Sequence, residues 1–110
     1  MKPTWRNRAW DVHQRSIHQT RAPEAFTSDA EVVHFLGLAI AGETGELATL
    51  ITKMWRGDSV PTEALRHVIA HIGIHLNLLT LYLGIDIETA CEEQLDFVAQ
   101  RIAHQEAKPQ

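Results

Sequence analysis

Two carboxylates and three imidazoles are the side chains whose types and spacing could do chemistry. Glu43 and Glu46 lie three residues apart in "GLAIAGETGELATLITKMW", the stretch 37–55. His67, His71 and His75 follow at intervals of four in "HVIAHIGIH". On a helix both spacings stack side chains on one face. A carboxylate pair of this kind can hold a hard divalent cation, and histidines at i, i+4 can chelate a metal. An Arg or Lys from another helix or subunit would neutralise the glutamates equally well. The histidines could also be packed side chains bonded to backbone or water. Spacing alone leaves both pairs of alternatives open.

Four helices must position these groups, and no segment reads as a strand. The first is predicted from about Trp5 to Gln19, with Trp5, Trp10 and Ile17 as a thin apolar edge. A loop containing Pro23 follows. The second is predicted over Asp29 to Arg56, with Ser28 or Asp29 as N-cap and Gly57 as the stop. Its apolar face carries Val32, Leu36, Ala39, Leu47, Leu50 and Met54. Val32 and Leu50 fall about 20° to one side of Glu43, and Leu36 and Met54 about 20° to the other. Glu43 is therefore expected in the middle of the buried face, with Glu46 about 60° away at its edge. Burying an unpaired carboxylate costs several kcal/mol, so something positive should face it. Gly42 and Gly45, each about 1 kcal/mol worse than Ala inside a helix, suggest close approach of another backbone or a ligand.

The third helix is predicted from Thr62 to Leu83, closed by Gly84. It is apolar over so much of its circumference that it belongs at the centre of a core or in an oligomer interface. Asp86 should cap a fourth helix with the stripe Ile87, Cys91, Leu95, Val98 and Ile102, and the tail "HQEAKPQ" should fray. The expected architecture is all-α and four-helix bundle-like, one domain over residues 1–110. Residues 1–27 form a basic N-terminal helix and loop, and 28–104 the helical core.

Composition agrees with that class. The chain is 45% hydrophobic and 22% charged, unlike a disordered segment. Its net charge of −4 is uneven. Lys2, Arg6, Arg8, Arg15 and Arg21 face only Asp11 in the first 21 residues, which leaves −8 on the rest. The basic end could meet phosphates, while the acidic body argues against nucleic acid as a partner. The single Cys91 excludes an intramolecular disulfide and a cysteine-based zinc site. Nothing resembles a signal peptide, and no stretch reads as a membrane span. A cytoplasmic home and no membrane partner are the expectation.

The stretch "LGLAIAGETGELATLITKMWRGD" resembles the first signature of the MazG-like, all-α nucleoside triphosphate pyrophosphohydrolases. "LLTLYLGIDIETACEEQLDFVAQR" resembles their closing segment, a Gly-Ile-Asp turn before a last helix ending in Arg. The likeness spans about Phe35 to Arg101. It implies a dimer or tetramer that splits nucleoside triphosphates into a monophosphate and pyrophosphate. It would make Glu43 and Glu46 the first of two acidic pairs that hold magnesium. It also implies a nucleotide site using Lys53, Arg56, Gln94 and Arg101. The chain departs from the pattern where the second acidic pair belongs, at Val68 and His71, and at Phe97, where the family carries a Lys. A site of Glu43, Glu46 and His71, with His67 or His75 beside it, admits magnesium or manganese and extends toward zinc or nickel. The same departures fit a MazG-like frame that has lost the reaction, in which a protonated histidine pairs with Glu43 or Glu46, and that serves as a ligand-binding or structural oligomer.

Overall fold

A computed structural model describes residues 5–20 and 28–108, without the side chains of 16–20. Every described element is helical: α1 (Trp5–Thr20), α2 (Asp29–Trp55), α3 (Thr62–Leu83) and α4 (Ile87–Ala107). The Pro23 loop and the side chain of Ile17 lie outside the described residues.

The helix ends follow local chemistry. Glu31 N–H donates to Ser28 Oγ at 3.4 Å, and Asp29 and Glu31 place negative charge in the first turn of α2. At its other end Gly57, at φ +93°, donates to Met54 O, and Asp58 N–H reaches back to Lys53 O. Gly84, at φ +69°, repeats the arrangement for α3, with Ile85 N–H on Thr80 O. These paired bonds form the left-handed glycine stop. Asp86 caps α4, accepting from Glu88 N–H at 3.2 Å and from the Thr89 hydroxyl at 2.8 Å. The Thr89 bond is the first reason that the Asp86 carboxyl lies below its usual range. The helix then runs on through His104–Ala107, where fraying was expected from the sequence. Glu106 and Ala107 are good helix formers with no breaker before Pro109.

Helices α2 and α3 form an antiparallel hairpin that holds the core: Val32, Leu36 and Leu78 are buried, with Phe35, Leu79 and Tyr82 packed around them. Helix α1 lies across α3, where Trp10 and His13 meet Tyr82 at ring distances of 5.3 and 5.6 Å. The third helix is thus central, as its wide apolar surface requires. Helix α4 differs: none of its residues is buried, and Leu95 is 67% exposed. Of its expected stripe, Cys91, Leu95 and Ile102 are exposed, and Ile87 and Val98 are only half-buried among the described residues.

Gly42 and Gly45 depart from expectation as well. A Cβ at either would meet nothing within 4 Å, so among the described residues no other backbone approaches them. By length and mean hydropathy α2 and α3 both reach the range of membrane-spanning helices, which the sequence reading had not assigned to any segment. The paired core helices of a hairpin meet the same criterion. Glu43 and Glu46 in mid-helix would each cost a few kcal/mol in a bilayer.

Candidate functional site

The hairpin brings Glu43 of α2 against the histidine ladder of α3. Its carboxylate lies 2.6 Å from His75 Nδ1 and 3.1 Å from His71 Nδ1, and the Glu43 side chain is 15% exposed. An ionised carboxylate only accepts, so each Nδ1 carries the proton and donates to Glu43. Each Nε2 is then a lone pair if its ring is neutral, or a second donor if charged. The carboxylate on the apolar face finds hydrogen-bond donors inside the chain, on two imidazoles one helical turn apart.

The other expected residues are less well gathered. His67 stacks on His71 at 4.4 Å between ring centroids without reaching Glu43. Glu46 is exposed, as its position at the edge of the face implies. Lys53 and Arg56 lie ten and thirteen residues along α2 from Glu43, about 15 and 20 Å by helical rise. Arg56 pairs with Asp58 at 3.3 Å. Gln94 and Arg101 stand on the exposed surface of α4, and no described bond joins either to Glu43. Val68 is 3% exposed and Phe97 is 57% exposed.

A second group of side chains meets between α1 and α3. His13 Nε2 and the Tyr82 hydroxyl are 2.9 Å apart, and Gln14 donates to the same hydroxyl at 3.4 Å. Burial, and after it the neighbouring His75, pushes the His13 imidazole below its usual pKa. Burial likewise raises Tyr82. Beside them opens a cleft of about 400 Å³, walled by Trp5, Arg8, Val12 and His13 of α1 and by Ile74, His75 and Leu78 of α3. His75 therefore touches both Glu43 and this cleft. Sequence reasoning missed the cleft because it drew the apolar edge of α1 through Trp5, Trp10 and Ile17. The signal was Trp5, Ala9 and Val12 at i, i+4 and i+7, interrupted by Arg8.

The donor set does not fit a pair of magnesium ions. Magnesium demands near-octahedral oxygen coordination. Glu43 is engaged by two ring nitrogens, Glu46 is exposed, and Val68 and His71 stand where further oxygens would be needed. Among the described residues no three His, Cys, Asp or Glu side chains are arranged to hold a metal ion. What the cluster can do without rearrangement is hold a half-buried carboxylate and present the far nitrogens of His71 and His75. No family model, curated protein or solved structure matches the chain.

Proposed function

We propose that the chain is a MazG-like helical protein that assembles as a homodimer or homotetramer and binds a nucleotide or similar anion without splitting it. The observation that carries this reading is the engagement of the Glu43 carboxylate by the ring nitrogens of His71 and His75. In the family pattern this carboxylate would be a metal ligand. Here its oxygens are taken by two imidazoles, and the second acidic pair is replaced by Val68 and His71. The frame that resembles the family is kept while the magnesium chemistry is not.

Assembly is supported by area. A folded protein of 12.4 kDa exposes about 6,100 Å², whereas this chain exposes 8728 Å². The excess, on the order of 2,600 Å², is comparable with the ~2,500 Å² that each partner contributes to a large permanent interface. Ile69, Leu76 and Leu83 repeat every seven residues along α3 at 55%, 37% and 50% exposure. With α4 they supply apolar surface for a second copy. An exposed thiol at Cys91 suits a reducing compartment such as the cytoplasm.

The test is a melting curve of the full chain with and without nucleoside triphosphates, paired with a pyrophosphate-release assay in magnesium, manganese, zinc or nickel. The reading expects a rise in Tm with nucleotide and no metal-dependent release. Turnover that disappears in Glu43→Gln would overturn it.

One observation favours a second reading, a remodelled metal-dependent pyrophosphohydrolase. A histidine that ligates a metal usually donates its other ring nitrogen to a carboxylate, and His71 and His75 both do so toward Glu43. Glu43 would then orient ligands rather than be one, which suits zinc, nickel or manganese. A Tm rise with one of these metals, absent from His71→Ala, together with pyrophosphate release would decide for it.

A further inference from the structure

We infer that the cleft between α1 and α3 is the ligand site, and that it takes a small organic anion with a flat apolar body. This deepens the ligand-binding reading and rests on it. The cleft, about 400 Å³, falls within the usual range for small-molecule sites. Its walls divide by chemistry. Val12 and Ile74 offer apolar surface at 58% and 37% exposure, and the Trp5 ring stands open at 52%. The Arg6 guanidinium lies over the Trp5 ring at 5.5 Å from its centroid, and the apolar area of Trp5, Val12 and Ile74 that is still exposed gains by being covered. A flat ring system fits against an indole and branched aliphatic side chains.

Charge fixes the other half of the ligand. Arg6, Arg15, Arg56 and Arg66 each pair with a carboxylate. Arg8 lines the cleft, and no carboxylate among the described residues pairs with it. The other polar side chains among the lining residues are the imidazoles of His13 and His75 and the indole N–H of Trp5, and the carboxylate nearest to the imidazoles, Glu43, is already engaged by His71 and His75. The wall thus carries donors and a cation without a free acceptor of opposite charge. A guanidinium in that setting selects a carboxylate or phosphate, which it can hold with two parallel hydrogen bonds. The anionic group belongs at Arg8 and the ring between Trp5 and Ile74.

The probe is 1-naphthyl phosphate, titrated into the full chain and followed by its own fluorescence. Saturable binding is expected, with 1-naphthol and inorganic phosphate each binding at least about tenfold more weakly, a difference of ~1.4 kcal/mol. Arg8→Gln should weaken the naphthyl phosphate about tenfold or more, and Trp5→Leu at least several-fold. Both residues are exposed, so both variants should keep the wild-type Tm. Unchanged affinity in both variants overturns the assignment, as does the absence of saturable binding, the result expected if a second copy of the chain closes the cleft. Nucleoside triphosphates run in parallel separate the two claims. If they raise Tm while the naphthyl probe fails, the cleft assignment falls and ligand binding elsewhere stands. If neither binds, both fall.

Discussion

The α2–α3 hairpin and helix α4 were built from similar sequence material and reached opposite outcomes. Both are amphipathic and both begin at a side-chain cap. In the hairpin, Leu36 is fully buried, and even a carboxylate on the apolar face finds two donors. In α4, Leu95, Phe97 and Ile102 stay 67%, 57% and 48% exposed. The radius of gyration, 18.5 Å against about 13 Å for a compact chain of this length, reflects the same contrast. An amphipathic stripe specifies that a helix will bury a face, not what will bury it. The hairpin has its partner in the chain, joined by a short turn. For α4 the described residues offer no comparable partner.

The largest expected effect tests that contrast directly. Leu36→Ala should destabilise the chain by about 2–5 kcal/mol at any protein concentration, because it empties a packed site. Leu95→Ala should change stability by no more than ~0.5 kcal/mol in a dilute monomer, and by more as concentration rises and α4 is covered. Urea unfolding at two protein concentrations separates them. A Leu95 effect that is large in the dilute monomer would mean that α4 packs on its own chain.

The two glutamates come next. Glu43→Gln should cost about 1–3 kcal/mol, since it leaves histidine donors without their charged acceptor, whereas Glu46→Gln should stay within ~0.5 kcal/mol. Equal effects would remove the distinction between a half-buried and an edge carboxylate.

Glycines sharpen the comparison further. Gly84→Ala should destabilise by about 1–2 kcal/mol, because φ +69° places a Cβ in the left-handed region. Gly42→Ala should instead stabilise an isolated chain by roughly 0.8–1 kcal/mol, since its surroundings are open. A loss of stability or assembly in Gly42→Ala would mean that a second copy or a ligand approaches there.

The smallest effect is in pH. The folded-state pKa of His13 lies below its unfolded value of 6.5, so the unfolded chain takes up this proton first. The stability held above pH 6.5 is then lost as pH falls through the window between the two values. Asp86, held low by Thr89 and the helix N-terminus, contributes in the same direction only below its unfolded pKa of 3.8. Urea midpoints at pH 7.5 and 5.5 should fall more steeply for wild type than for His13→Gln. Identical slopes would show that His13 titrates alike in both states.

The helix boundaries were legible because their signals are local: Ser28, Gly57, Gly84 and Asp86 act on groups within a few residues. The place of Glu43 on the apolar face was legible too, because helical period alone sets it among Val32, Leu36 and Leu50, although the side chain is only half-buried there. The identity of its partner was not. Lysine, arginine, metal and histidine all satisfied the sequence, and choosing among them required the register of α2 against α3, which sets 43 beside 71 and 75. The cleft was less visible still. It depends on the angle at which α1 crosses α3, and no spacing within either helix encodes that angle.

The sequence by itself determined four helices, their stops, and a carboxylate on an apolar face, because caps, propensity and period are short-range properties of the chain. Only the tertiary structure decided that His71 and His75 receive that carboxylate, that Arg8 and Trp5 share a cleft with His75, and that α4 keeps most of its apolar stripe exposed among the described residues. These are contacts between residues tens of positions apart, and packing, rather than any local preference, selects which of the compatible partners meet.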